Sequence, residues 1–230
     1  MECDLQMVYY DTLEHLQEKK KELVTPTPRL VTSIYLSPIP LISVINRNPL
    51  DVGYDIKRKG FVPLVLHILE DRSAERGCPG WDADFFRRSD LKNHLISSFF
   101  PLHQDHSILA PRVTVIKDEH YALLPFPFVL DVIACAPHRA AYHTIEGSLS
   151  PDDAEMAYYK IKQIISTAAT TGYNALVLRD FGCDKKYRHP PAHVASLFRD
   201  AIASFAPNTF KRIVFAVESC NVGIFSEVFR

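Results

Sequence analysis

From residue 129 to the end of the chain, short apolar runs alternate with longer amphipathic ones: 129–135, 151–171, 175–178, 191–205, 212–217 and 221–229. The pattern reads strand, helix, strand, helix, strand, helix. Parallel strands cannot be joined by a tight turn, and their crossovers are right-handed, so the alternation calls for a sheet covered by helices on both faces. Upstream, 62–69 is a continuous apolar run of strand length, the signature of a strand buried on both sides. A further strand is expected at 113–116. Ser150-Pro151-Asp152-Asp153 opens the longest helix with a polar cap, a proline in the first turn and two carboxylates beside the helix dipole. The fold class is α/β.

The first half is less regular. Residues 11–23 read as an amphipathic helix ended by Thr25-Pro26-Thr27-Pro28, because proline disfavours a helical residue before it. A strand is expected at 30–35, and a helix over 82–96. Residues 37–60, with prolines at 38, 40 and 49, read as an irregular insertion or lid carrying one short strand at Leu41–Ile45. There is no internal repeat and no interdomain linker, so residues 1–230 are read as one domain.

Composition narrows the partners. A formal net charge of −1 leaves no footprint for a nucleic-acid backbone. The five cysteines are scattered and never form a CxxC pair, which fits free thiols in a reducing compartment. His103 and His106 are the nearest thing to ligand spacing, and no metal or cofactor is expected. No apolar run reaches the roughly 18–20 residues of a membrane span. The expected setting is intracellular, cytoplasmic or nuclear.

In such sheets, ligands sit beyond the carboxyl ends of strands. Three segments qualify. The loop 179–190 contains Gly182, Cys183, Asp184 and Tyr187 with the cations Lys185, Lys186 and Arg188. It suits a diphosphate with Tyr187 as a stacking surface, or is a solvated basic turn. The loop 70–82 contains Asp71, Gly77, Gly80 and Trp81 and ends at Asp82 and Asp84, which are either catalytic carboxylates or complements to a helix dipole. Trp81 is either a core plug or a pocket wall. Cys183 near His189 is better read as a structural cysteine than as a nucleophile with its base. The third segment, 136–142, begins with Ala136 and Pro137.

These segments resemble the microbial-type poly(ADP-ribose) glycohydrolase branch of the macrodomains. The resemblance is carried by Asp131-Val-Ile-Ala-Cys-Ala-Pro-His138 and by Thr171-Gly-Tyr-Asn-Ala-Leu-Val-Leu-Arg-Asp-Phe-Gly-Cys183 with Tyr187-Arg-His-Pro-Pro191. Phe85-Phe-Arg-Arg-Ser-Asp-Leu91 and the last strand and helix add to it. It implies a three-layer α/β/α sandwich with a mixed, mostly parallel central sheet. It also implies an ADP-ribose site that includes His67, Ala136, Pro137 and Gly182.

Departures from the family decide the expected activity. Counted back from Phe85, Arg87 and Ser89, the family's Gln-Glu-Glu falls on Trp81, Asp82 and Ala83, so the catalytic glutamate is replaced by Ala83. The triple glycine of the preceding loop is reduced to Gly77 and Gly80. Asp184 stands where the family has glycine, and His67 where it has asparagine. The resemblance therefore implies recognition of ADP-ribose, a related nucleotide or an ADP-ribosylated macromolecule, with weak or no glycohydrolase activity. The alternatives are an active ADP-ribosyl hydrolase using Asp82 or Asp84, and a protein-interaction scaffold with a decayed pocket.

Overall fold

The computed structural model describes residues 5–18, 40–69, 80–103, 106–140, 143–145, 147–206 and 208–230. In chain order the elements are α1 (Leu5–Glu18), β1 (Leu41–Ile45), α2 (Pro49–Arg58), β2 (Pro63–Ile68), α3 (Gly80–Arg88), β3 (Ser107–Lys117), β4 (Leu123–Cys135), α4 (Pro151–Thr170), β5 (Ala175–Leu178), α5 (Pro191–Ala203), β6 (Arg212–Ala216) and α6 (Ser219–Val228). Six strands form one sheet in the order β1-β6-β5-β2-β4-β3. All neighbours run parallel except the β3–β4 hairpin at one edge.

Every residue of β2 and β5 is buried, as a strand flanked on both faces requires. Alternate side chains then feed two separate cores. Val65, Val132, Val177 and Val214 pack on one face with Leu50, Val52 and Ile56 of α2 and Phe85 and Phe86 of α3. Leu64, Leu66, Ile133, Leu176, Ile213 and Phe215 pack on the other with α4, α5 and α6. These are the three layers of an α/β/α sandwich.

The second half follows its sequence closely. Ser150 caps α4 by accepting the Asp153 N–H at 3.3 Å, with Pro151 in the first turn. The first half departs in places. Residues 49–58 form the regular helix α2 instead of an irregular insertion. Pro49 opens it rather than breaking it, because Asn48 caps the Leu50 N–H at 3.0 Å and a first-turn proline has no N–H to lose. The helix expected over 82–96 stops at Arg88: Ser89 donates its hydroxyl to the Phe85 carbonyl, and Asp90 exchanges hydrogen bonds with Thr114 of β3. A short 3-10 turn, Leu91–His94, follows. Helix α1 begins at Leu5, earlier than expected; the expected strand at 30–35 lies outside the described residues. Strands β3 and β4 extend past their apolar runs, with a register shift between Ala110 and Val113 at the edge of the sheet.

Candidate functional site

β2, β5 and β6 all end on one rim of the sheet, and a pocket of about 680 Å³ opens there. Its lining comes from Ile68 and Leu69 at the end of β2, Asp82 of α3, the loop after β5, and Glu218, Cys220 and Asn221 at the start of α6. That size is within the range of small-molecule sites, roughly 300–1,000 Å³.

The loop wall is held by its own bonds. Gly182 has φ of +77°, a conformation that favours glycine. A Cβ there would lie 2.6 Å from Nδ1 of His189, so the close approach that Gly182 permits is made by this ring. The His189 N–H donates to the Gly182 carbonyl at 2.8 Å, and His189 Nε2 lies 2.8 Å from the His138 carbonyl. Asp184 Oδ1 accepts the N–H groups of Lys186 and Tyr187 at 2.7 and 2.9 Å, capping a single turn. Tyr187 lines the pocket but is only 5 % exposed, and its hydroxyl donates to the Leu69 carbonyl at 3.0 Å. Its ring is thus a packed wall and not a projecting surface.

The α3 wall is built around a charge pair. Asp82, 18 % exposed, accepts hydrogen bonds from the Arg179 guanidinium and from the Ile68 N–H at 3.4 Å. His67 is wholly buried beneath it, with Nδ1 3.6 Å from the same carboxylate oxygen and its ring 4.5 Å from that of Phe85. Burial, and then the nearby Arg179 charge, push the His67 pKa down to about 3, so the ring is neutral. Burial raises Asp82 to about 6, against the opposing pull of Arg179 and the Ile68 N–H.

The structure brings Asp82, Cys183, Asp184 and Tyr187 around this one cavity. Ala136, Pro137, Gly182 and His67 are not among the residues that line it. Ala136 and Pro137 are buried, and the Ala136 carbonyl accepts from Lys160 at 2.8 Å. Lys185 and Lys186 line the pocket; Arg188 is exposed outside it. Asp84 faces away, accepting from Asn48 Nδ2 and the Tyr121 hydroxyl at 2.8 Å each. Ala83, 7 % exposed, is part of the core. Gly80 and Trp81 open α3; the Trp81 side chain, Asp71 and Gly77 lie outside the described residues. Burial, with Asp180, Asp184 and Cys220 nearby, drives the Cys183 thiol well above the usual range, and His189 is turned to Gly182 and His138.

Sequence reasoning placed Arg179 and Asp180 in the loop 179–190 without giving either a role, and overlooked the α6 residues. Asp180 accepts from Asn221 Nδ2 at 2.7 Å. The available signal was position: Arg179 is the first residue after β5, and Glu218 caps the helix after β6. Among the described residues, no group of three or more histidine, cysteine or acidic side chains could hold a metal. No described helix is long and apolar enough to cross a membrane.

A pocket at the strand ends of a mixed sheet sandwiched by helices defines a macrodomain-like α/β/α protein. The chain has the fold of the microbial poly(ADP-ribose) glycohydrolases. It superposes on the Deinococcus radiodurans glycohydrolase in complex with ADP-ribose with a TM-score of 0.74, at 19 % identity, covering 100 % of this chain and 98 % of that one. It also matches a Thermomonospora curvata glycohydrolase point mutant at TM-score 0.70 and 22 % identity, over 82 % of this chain and 78 % of that one. The same T. curvata enzyme bound to the inhibitor ADP-HPD matches at TM-score 0.67 and 22 % identity, over 81 % and 78 %. No family model matches the sequence. No curated protein matches it either.

Proposed function

We propose that this chain is a macrodomain that recognises ADP-ribose or a related nucleotide, free or attached to a macromolecule, with weak or no glycohydrolase activity. One observation carries the reading: Ala83, the residue to which the resemblance assigns the family's general acid, is packed in the core, while the α3 carboxylate that does face the pocket, Asp82, is bound to Arg179. Loss of a general acid forfeits about 10²–10⁴-fold in rate. Recognition is supported by the solved structures of this fold that contain ADP-ribose or ADP-HPD. The pocket between the α3 wall and the loop bearing Lys185 and Lys186 supports it further.

A second reading has one observation in its favour. Burial raises Asp82 to about 6, near enough to neutrality for a carboxyl to donate a proton, so an active hydrolase using Asp82 is the alternative. Asp84 has no part in it, because its carboxylate points away from the cavity. Titration calorimetry with ADP-ribose, followed by hydrolysis of an ADP-ribosylated protein, separates these readings. The proposal expects a Kd below about 100 μM, equivalent to about −5.5 kcal/mol. It also expects no turnover that Asp82→Asn removes. Turnover abolished by Asp82→Asn favours the hydrolase, and no binding at millimolar ADP-ribose leaves an interaction scaffold.

A further inference from the structure

Arg179 is 3 % exposed, yet its charged end crosses from the tip of β5 to Asp82 on α3, 97 residues away in the chain. A guanidinium withdrawn from water needs a partner, and breaking a buried pair is costly. Asp82 is one such partner, and its carboxylate depends on Arg179 in return. Its other donor, the Ile68 N–H, is at the long limit of 3.4 Å, and His67 beneath it is neutral. Of the remaining charged groups that line the pocket, Asp180, Asp184 and Glu218 share its sign, while Lys185 and Lys186 stand on the loop wall. Among the described residues, Arg179 is the cation whose charge opposes the burial of Asp82.

We propose that Arg179 is a positioning residue that holds Asp82 as an ionised hydrogen-bond acceptor, so that this wall of the pocket receives ligand hydroxyls instead of delivering a proton. An ionised carboxylate accepts only, and it has capacity for several donors at once; one oxygen on a guanidinium leaves room for others. A ribose hydroxyl is matched to such an acceptor, whereas a phosphate oxygen is repelled by it. The ligand assignment rests on the nucleotide reading above. The ionisation of Asp82 does not, because it belongs to the ligand-free protein.

The test is a carboxyl-carbon NMR titration of the ligand-free full chain, with Asp82 assigned through Asp82→Asn. Arg179→Gln removes the cation and keeps a polar side chain of related shape; Arg179→Lys keeps the charge. The Asp82 midpoint should rise by about one pH unit or more in Arg179→Gln, the effect of losing an opposite charge in contact. Arg179→Lys should stay nearer the wild type. An unchanged or lowered midpoint in Arg179→Gln overturns the proposal. Should that variant not fold, the wild type still decides: the guanidinium nitrogen resonances of Arg179 should move with the Asp82 midpoint, and resonances that ignore it overturn the proposal. ADP-ribose affinity measured on the same samples should fall about tenfold in Arg179→Gln and recover in Arg179→Lys. If the titrations behave as expected but no sample binds ADP-ribose, the nucleotide reading fails and the role of Arg179 stands. If ADP-ribose binds and the midpoint does not move, the reverse holds.

Discussion

The two walls of the pocket are built by different means. The loop wall is held mostly by residues close in sequence: Gly182 under the His189 ring, Asp184 on the N–H groups of Lys186 and Tyr187, and the His189 N–H on the Gly182 carbonyl, with two longer ties from Tyr187 to Leu69 and from His189 to His138. The α3 wall is held by residues far apart: Asp82 meets Arg179 from β5 and lies over His67 from β2. Each wall rests on a buried neutral imidazole, His189 in one and His67 in the other. The difference shows how one fold can hold two sides of a pocket by short-range and by long-range contacts. Local bonds preserve the turn, while the charge state of the opposite carboxylate is set by its burial and, against that, by a distant cation.

The largest expected effect strikes the loop wall. Gly182→Glu places a side chain at positive φ and into the His189 ring, which should cost about 4 kcal/mol of stability from backbone strain and overpacking together. Nucleotide binding should be lost, as thermal unfolding and calorimetry will show; a variant with native stability and affinity would mean that the wall is not locally locked. On the α3 wall, Ala83→Glu introduces the residue type that the resemblance expects there but points it into the core. It should destabilise by about 3 kcal/mol, through burial of a carboxyl without a partner. It should confer no hydrolysis. Turnover by that variant would make the α3 wall as readable from sequence as the loop.

The smallest expected effect probes the two imidazoles together. Burial lowers His67 to about 3 and His189 to about 4, below the ordinary 6.5. For His189, the neighbouring His138 lowers it further. Between pH 6.5 and about 4 the unfolded chain therefore binds more protons, so their contribution is complete above pH 6.5 and is lost as pH falls. Asp82 works the other way: raised to about 6, it contributes stability below its unfolded value that is lost as pH rises through 6. Two histidines against one carboxyl leave a net loss of stability on going from pH 7 to 4. Melting temperatures across that range should fall for the wild type and fall less for His189→Asn. Equal slopes would show that the ring under the loop is not what titrates.

The order of elements was legible because it is written in local periodicity. The alternation after residue 129 appears in the structure as β4-α4-β5-α5-β6-α6, with boundaries moved by a few residues. Helix α2 was legible too, in the Asn48-Pro49 pair, but the prolines around it gave the segment the look of an irregular one. In the loop after β5, Cys183, Asp184 and Tyr187 were found at the pocket because they follow a strand end. The neighbour that Gly182 meets within the chain, the His189 ring, was not legible.

The sequence by itself determined an α/β chain of strands buried on both faces, a capped helix at Ser150 and a basic turn after β5, since each depends on residues within a few positions of one another. Only the tertiary structure decided which of three adjacent α3 residues meets the cavity. Successive helical side chains point about 100° apart, so the seating of Phe85 and Phe86 against the sheet turns Asp82 inward to the pocket, Ala83 into the core and Asp84 away. It likewise decided the partner of Asp82, because an ion pair spanning 97 residues exists only once β5 and α3 have been brought to the same rim.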